Sequence, residues 1–182
     1  TIAGGAHNTI DSPVPDTGFS FIGGGLNNGA VNIYSSVVGG ENNTAGTNTV
    51  GNSHAAVVGG IDNAANGNQS FVGGGSTNIA SGTQAAVVGG SHNTAVGLDG
   101  FVGGGADNVA GNAALPLLSG AAVVAGGAGN TASGLKSAIL GGHGNTASGS
   151  WATVGGGVGN VASGVLAVVG GGGDQTSATF NT

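Results

Sequence analysis

The stretch Phe71–Gly82 reads Phe-Val-Gly-Gly-Gly-Ser-Thr-Asn-Ile-Ala-Ser-Gly and shows the unit from which the chain is built. The general pattern is Val-x-Gly-Gly-x-x-Asn-x-Ala-x-Gly, with an Asn as its anchor and a Gly-Gly pair before each anchor. The steps between anchors are mostly 15 residues, and the three longer ones are 20, 20 and 22 residues. The anchors are Asn8, Asn28, Asn43, Asn63, Asn78, Asn93, Asn108, Asn130, Asn145 and Asn160, with Gln175 in the eleventh place.

A fixed period of this kind is typical of a stacked repeat architecture. Fifteen residues are too few for a pair of helices, but they suit one coil made of two short strands and two tight turns. The 44 Gly among 182 residues would otherwise indicate collagen or disorder. Collagen is excluded because Gly does not occupy every third position. We therefore predict an all-β parallel β-solenoid, or β-roll, of about eleven 15-residue coils that forms one domain over residues 1–182.

The first strand of each coil is predicted to be apolar on both faces. Its central residue is Val or Ile, and the residues on either side are also apolar or Gly. The two flanking positions compensate each other in size, since Phe is paired with Gly and Ala with Val or Leu; this indicates a close-packed interface of limited volume. One face would line the interior, and the other would pack against further chains. The residues predicted for inter-chain packing are Phe21, Phe71, Phe101, Val38, Val58, Val88 and Leu140.

The second strand of each coil begins at the anchor Asn. The Asn and the Ala two residues later share one face, because side chains alternate along a strand. The opposite face carries mostly small or hydroxylated residues, such as Thr146 and Ser148. We expect the ten anchor asparagines to point inwards and to form a structural amide ladder from coil to coil. The alternative is that they form a row of polar ligands.

The residue just before each anchor is predicted to have a left-handed backbone. The types found there include Asn, Asp, His and Gly, most of which tolerate a positive φ. A rival interpretation is a metal-binding row formed by Asp62, His92 and Asp107. Turn chemistry is favoured because Asp62 and His92 would lie two coils apart with Thr77 between them. The sequence thus predicts no metal site and no cofactor.

Three insertions interrupt the period, near residues 10–18, 46–54 and 111–120. Each falls between the Asn strand and the next Val strand, so all three are expected to protrude as loops from one angular position of the roll. The third contains Leu115, Leu117 and Leu118, an apolar cluster that is a possible partner contact. The alternative is a cluster that folds back on the roll or covers an oligomer seam.

The charge pattern excludes several classes of function. Lys136 is the only basic residue among Lys and Arg, and the net charge is −6. Nucleic-acid binding needs Lys and Arg against phosphates, so no nucleic-acid partner is expected. No apolar run approaches 18 residues, so this segment is not predicted to insert into a membrane. Four His and seven acids are scattered without a recurring catalytic spacing, which predicts a protein that is not an enzyme.

The repeat, as in Phe71–Gly82, Phe101–Gly111 and Thr153–Gly164, resembles the head repeats of trimeric autotransporter adhesins. The resemblance implies a left-handed parallel β-roll in which three chains intertwine into a surface-exposed adhesive domain. The chain departs from that family in its 15-residue unit, which is longer than the common one. It also shows no neck, coiled-coil stalk or membrane anchor, and almost none of the basic residues that such adhesins display.

The expected function is therefore that of a non-enzymatic extracellular or cell-surface protein. It would be a homo-oligomer, by resemblance a homotrimer, that mediates attachment or biofilm structure through a host or matrix ligand that the sequence does not identify. A first alternative is a self-assembling filament subunit, because the last coil stops one residue short of the phase at which the first begins. A second is an ice-binding solenoid with a Thr face at positions 9, 44, 94, 131, 146 and 176.

Overall fold

The computed structural model describes residues 1–12, 19–47, 54–115, 120–173 and 176–177. Within these ranges the chain consists of short strands and turns, without a helix. Every strand pairs in parallel with the equivalent strand of the next coil, as Ala86–Val87 does with Phe101–Val102. The structure thus confirms an all-β parallel β-solenoid with about 15 residues per coil.

One side of the roll is a ten-stranded sheet, which we call the valine sheet. Each strand has a buried Val or Ile at its second position, a residue type that favours extended backbone. Its strands are β2 (Phe21–Ile22), β4 (Ser36–Val37), β6 (Ala56–Val57), β8 (Phe71–Val72), β10 (Ala86–Val87), β12 (Phe101–Val102), β14 (Val123–Val124), β16 (Ala138–Ile139), β18 (Thr153–Val154) and β20 (Val168–Val169).

The other side is an eleven-stranded sheet, which we call the asparagine sheet because each strand follows an anchor position. Its strands alternate with those of the valine sheet along the chain, so each coil contributes one strand to each sheet. They are β1 (Thr9–Asp11), β3 (Gly29–Val31), β5 (Thr44–Ala45), β7 (Ala64–Ala65), β9 (Ile79–Ala80), β11 (Thr94–Ala95), β13 (Val109–Ala110), β15 (Thr131–Ala132), β17 (Thr146–Ala147), β19 (Val161–Ala162) and β21 (Thr176–Ser177).

A third line of parallel pairing lies in the turn that leads from the valine sheet to the asparagine sheet. It is one residue wide and joins the position two before each anchor, for example Ser76 to Ser91 and Ser91 to Ala106. The sequence analysis predicts only two strands and two turns per coil. The extra ladder forms because the left-handed residue on either side turns the chain, while the single extended residue between them still reaches the next coil.

The core is a stack of small side chains between the two sheets. In one coil Ala85 and Val87 point inwards from the valine side, and Asn93 and Ala95 point inwards from the asparagine side; all four are fully buried. The sequence analysis expected only one Val, one Ala and one Asn per coil. The fourth residue is Ala or Ser in most coils, and a buried Ser is satisfied locally, as where Ser70 Oγ donates to the Gly67 carbonyl at 2.7 Å.

Candidate binding surfaces

The anchor asparagines fill the interior and are not available to a ligand. The backbone N–H of Asn93 donates to Asn78 Oδ1 at 3.0 Å, and Asn93 Nδ2 reaches the same oxygen at 3.1 Å. Asn93 Nδ2 also donates to the carbonyl of Gly89 at 3.0 Å and to that of Gly105 in the next coil at 2.8 Å. Asn93 Oδ1 in turn accepts the N–H of Asn108 at 3.1 Å. One amide therefore joins three coils.

The same pattern repeats at the other anchors, with a buried side chain from Asn28 through Asn160. No buried side-chain polar atom among the described residues lacks a hydrogen-bond partner. Because every donor and acceptor of the ladder is used inside the roll, its contribution is structural. The interpretation of these asparagines as a row of ligands finds no support in this geometry.

The residues before the anchors have the left-handed backbone that turn chemistry requires. The φ values of the non-glycine residues there lie between +54° and +58°, including those of Asp62, Thr77, His92 and Asp107. Within the described ranges, no three His, Cys, Asp or Glu side chains come together as a ligand set for a metal ion. Their left-handed backbone makes these positions turn residues.

The outer side of the valine sheet carries an apolar strip, which we call the valine face. Its large side chains are between 37% and 61% exposed, although they are Phe, Val and Leu. They recur along the ten strands, about 45 Å at the usual strand spacing of about 4.8 Å, and are interrupted at β18, where Thr153 and the nearby Gly155 take their places. The seven residues predicted for inter-chain packing all lie on it: Phe21, Val38, Val58, Phe71, Val88, Phe101 and Leu140.

The pairing of Phe with Gly on the valine face has a cause within one chain. A Cβ at Gly73 would overlap the Val88 carbonyl and would lie 3.4 Å from Phe71 Cε1, so the backbone of the next coil excludes a side chain there and the Phe71 ring lies over the bare glycine. The same holds for Phe101 over Gly103. The sequence analysis attributes this pairing to contact between chains. Because the rings remain more than one third exposed, the two causes are compatible.

A second exposed row was not predicted and lies in the turn from the asparagine sheet to the valine sheet. In the coil of Gln84, the Ala85 N–H closes a β-turn on the Gly82 carbonyl at 3.1 Å, and Gln84 occupies its third position with a φ of +59°. We call this row the turn ridge. It comprises nine non-glycine residues with φ between +54° and +65°: Tyr34, His54, Gln69, Gln84, Asp99, Ala121, Lys136, Trp151 and Leu166.

The turn ridge differs from the other left-handed row in its residue types. A left-handed conformation costs an L-residue about 1–2 kcal/mol, and turns of this kind usually place Gly or Asn there. The ridge nevertheless carries Tyr, Gln, Lys, Trp and Leu. A partial sequence signal is a Gly three residues before a small residue, as in Gly82-Thr83-Gln84-Ala85 and Gly149-Ser150-Trp151-Ala152, although Asn32 takes the place of that Gly before Tyr34.

Parts of the turn ridge stack along the axis. The rings of Phe19 and Tyr34 have centroids 5.9 Å apart, and those of Tyr34 and His54 are 4.8 Å apart and nearly parallel at 10°. Further along, Lys136 Nζ lies 4.2 Å from the centre of the Trp151 ring. Contacts of this type contribute on the order of 1 kcal/mol each. These side chains therefore offset part of the backbone cost of their own positions.

The three insertions enter the chain in the turn that carries the ridge. Their flanking residues connect a strand of the asparagine sheet to the next strand of the valine sheet, as between β1 and β2. Leu115 is exposed. Leu117 and Leu118 lie outside the described residues, as do most residues of the three predicted loops, so the possible partner contact stays a prediction.

The predicted Thr face lies on the outer side of the asparagine sheet. The parallel register aligns Thr94 with Ile79 and Val109, and Thr131 with Thr146, so aliphatic residues interrupt the row of hydroxyl groups. The ice-binding function stays a prediction, and a thermal-hysteresis assay would test it. Among the described residues, no helix provides an apolar segment long enough to cross a bilayer.

Comparison with protein-family models finds no matching family, and a search of curated proteins finds no matching sequence either. The strand pairing of the structure establishes the fold. The resemblance to trimeric autotransporter adhesins stays an expectation that rests on the repeat motif, and so do the left hand of the coil and the number of chains.

Proposed function

We propose that the chain is a non-enzymatic structural and adhesive β-roll of the extracellular surface, and that it associates with copies of itself through the valine face. The observation that carries this proposal is the strip of Phe, Val and Leu side chains along the outside of the valine sheet. Its length and a width of roughly 10 Å give an area of about 450 Å². An area of this size matches the largest apolar patch of a typical soluble monomer, and such patches are often functional.

A homo-oligomer fits the shape of this strip. Each coil adds the same pair of outer positions, so copies related by rotation about an axis parallel to the roll would meet coil by coil. Trimeric symmetry is the form that the resemblance to autotransporter adhesins implies. The few charges of the chain and its single Lys are compatible with a surface exposed to salt and proteases.

The test compares two substitutions at apolar residues of equal exposure. Val88 lies on the valine face and Ile61 on the third ladder, and both are 49% exposed. Sedimentation equilibrium should give wild type three times the mass of one chain. Val88→Glu should dissociate it, because like charges would meet in a desolvated interface. Ile61→Glu should leave the assembly intact.

A wild-type chain that sediments as a monomer with its valine face in water would contradict the proposal, as would equal effects of the two substitutions. The adhesive part has its own measurement, which is the attachment of beads coated with wild type or Val88→Glu to cell or matrix surfaces. Wild-type beads should attach, whereas beads coated with the dissociated variant should attach less.

A filament subunit remains a second candidate, and one observation favours it. Each coil bonds to the next through the same parallel register, so the bonds between coils are repeated along the whole roll. Electron microscopy of the purified chain distinguishes the two functions. Discrete particles support the adhesive roll, and continuous fibres support the filament.

A further inference from the structure

The middle of the turn ridge carries polar side chains that the fold itself does not use. Gln69, Gln84 and Asp99 occupy consecutive coils, are exposed, and have φ values between +55° and +59°. Within the part of the chain that the structure describes, their side chains make no hydrogen bond or ring contact, unlike those of Tyr34 or Trp151. Gly is the residue that this backbone favours.

The chain uses Gly freely at other left-handed positions, for example at Gly90 and Gly144. Asp99 is a type that tolerates this backbone, as are the Asn, Asp and His residues before the anchors, but Gln69 and Gln84 are not, and no internal contact compensates them. A side chain kept in a conformation that it disfavours, without a partner in the fold, indicates a function outside the fold. We therefore treat these three residues as a binding surface.

The backbone of this surface is already paired. The N–H of Gln84 donates to the Asn68 carbonyl at 2.8 Å, and the N–H of Asp99 donates to the Thr83 carbonyl at 2.9 Å. A peptide strand therefore cannot add to it through main-chain hydrogen bonds, which is how extended peptides usually bind to sheets. Recognition has to come from side-chain amide, carboxylate and hydroxyl groups, including the exposed Thr83.

The chemistry of these groups selects the ligand. Amides donate to and accept from hydroxyl groups, carboxylates accept from them, and no Lys or Arg lies in these coils to hold an anionic ligand. The groups recur once per coil, about every 4.8 Å along the axis, which is close to the length of one pyranose unit in an extended glycan. The aromatic side chains of Tyr34 and His54 follow on one side along the ridge and provide apolar surface for sugar C–H groups.

We infer that Gln69, Gln84 and Asp99 form a binding surface for a neutral linear polysaccharide that runs parallel to the axis of the roll, with about one sugar unit per coil. The inference names the class of ligand for the adhesive part of the proposed function, and it rests on the proposed function only in that part. The surface lies within a single chain and does not depend on the valine face.

The experiment is calorimetric titration of the full chain with neutral hexasaccharides of β-1,4-linked glucose, mannose, xylose and N-acetylglucosamine, and with a heparin hexasaccharide as the anionic comparison. The variants are Gln84→Gly and the double variant Gln84→Gly/Asp99→Gly. The control is Thr77→Gly, which removes a side chain at φ +57° from the opposite turn of the roll. Each sample is also sedimented and thermally unfolded.

At least one neutral hexasaccharide should bind wild type with a dissociation constant of about 1 mM or lower. The double variant should weaken that binding at least tenfold, and Thr77→Gly should not change it. The unfolding midpoint of Gln84→Gly should equal or exceed that of wild type, since Gly suits the backbone there. Variants that lose binding while keeping the fold would thus establish the surface.

The inference is overturned if no neutral hexasaccharide binds, if only heparin binds, or if the double variant binds as wild type does. The sedimentation data separate these results from the proposed function. Assembled wild type that binds no sugar would overturn the ridge inference alone. A monomer that binds a neutral sugar would overturn assembly through the valine face and leave the ridge inference standing.

Discussion

Replacing Asn93 with Ala tests the structural element on which the fold depends most. The substitution removes every hydrogen bond of the Asn93 side chain and leaves its neighbours in place. The N–H of Asn108 loses the only acceptor that it has, and the Gly89 carbonyl loses the Nδ2 donor. The Gly105 carbonyl keeps one partner, because it still accepts the Ser91 N–H at 2.9 Å.

The expected loss follows from these two groups. A buried donor or acceptor left without a partner costs about 1–3 kcal/mol. The Asn108 N–H is buried and the Gly89 carbonyl is half-buried, so the free energy of unfolding should fall by about 2–3 kcal/mol. The matched control is Gln84→Ala, which also removes an amide but at an exposed position. It should change the free energy of unfolding by about 0.5 kcal/mol or less.

The assay combines denaturant unfolding, followed by circular dichroism, with amide hydrogen exchange. Because each coil contacts only its neighbours, the loss should be greatest near the substituted coil. Exchange at Asn108 should accelerate much more than exchange at Asn145, which lies further along the axis. A loss below about 1 kcal/mol for Asn93→Ala, or unchanged exchange at Asn108, would refute the view that the ladder holds the coils together.

Asn93→Asp adds a pH dependence to the same test. The introduced carboxylate would face the carbonyls of Gly89 and Gly105, where Asn93 donates. Burial and these oxygens should raise its pKa above the ordinary value of about 3.9. A raised folded-state pKa favours the folded state below the ordinary pKa, and that stabilisation is lost as the pH rises through the raised value. Relative to wild type, the variant should therefore be least stable at neutral pH and recover in acid.

Two further predictions concern the turns. Gly90→Ala should lower the free energy of unfolding by about 3 kcal/mol or more, because φ is +89° and a Cβ would overlap the Gly105 carbonyl. The control Gly89→Ala should lower it by about 1 kcal/mol or less, since its Cβ would approach only the Gly74 oxygen at 3.9 Å. Equal losses for the two variants would contradict this explanation. Prolonged trypsin treatment should leave the chain intact in gel electrophoresis, because Lys136 lies in a turn and its own N–H donates to the Gly120 carbonyl at 2.9 Å. Rapid cleavage after Lys136 would count against a tightly wound roll.

The fold could be predicted because the repeat fixes what each position does in every coil. The Asn anchors and the Gly-Gly pairs set the period, and the alternation of Val with its neighbours sets the inner face of the valine sheet. The second inward residue, such as Ala85, escaped prediction because Ala and Ser occur on both faces of short strands. The third ladder escaped because one extended residue, such as Ser91, leaves no periodicity in the sequence.

The turn ridge escaped prediction because the residue types at its left-handed positions do not indicate that backbone conformation. Residues such as Gln84, Trp151 and Leu166 have no intrinsic preference for positive φ, so their types conceal the turn. The row before the anchors was predictable for the opposite reason, since Asn, Asp and Gly reveal a left-handed position. The positions that contradict local preference are thus the hardest to identify from residue types, and such contradictions concentrate at functional sites.

On the valine face, a large outer residue is paired with a small one in most coils, and packing within one chain explains only some of these pairs. The Phe71 ring over Gly73 is explained within one chain, because the Val88 carbonyl leaves no room for a Cβ at Gly73 and the ring packs over that glycine. That explanation does not extend to coils with a small residue followed by a large one, such as Ala86 with Val88, where no ring is present. Both kinds of coil nevertheless hold one large and one small outer residue. One large and one small outer residue per coil keep the outer surface level, which is the shape that the proposed packing of copies along the whole face needs.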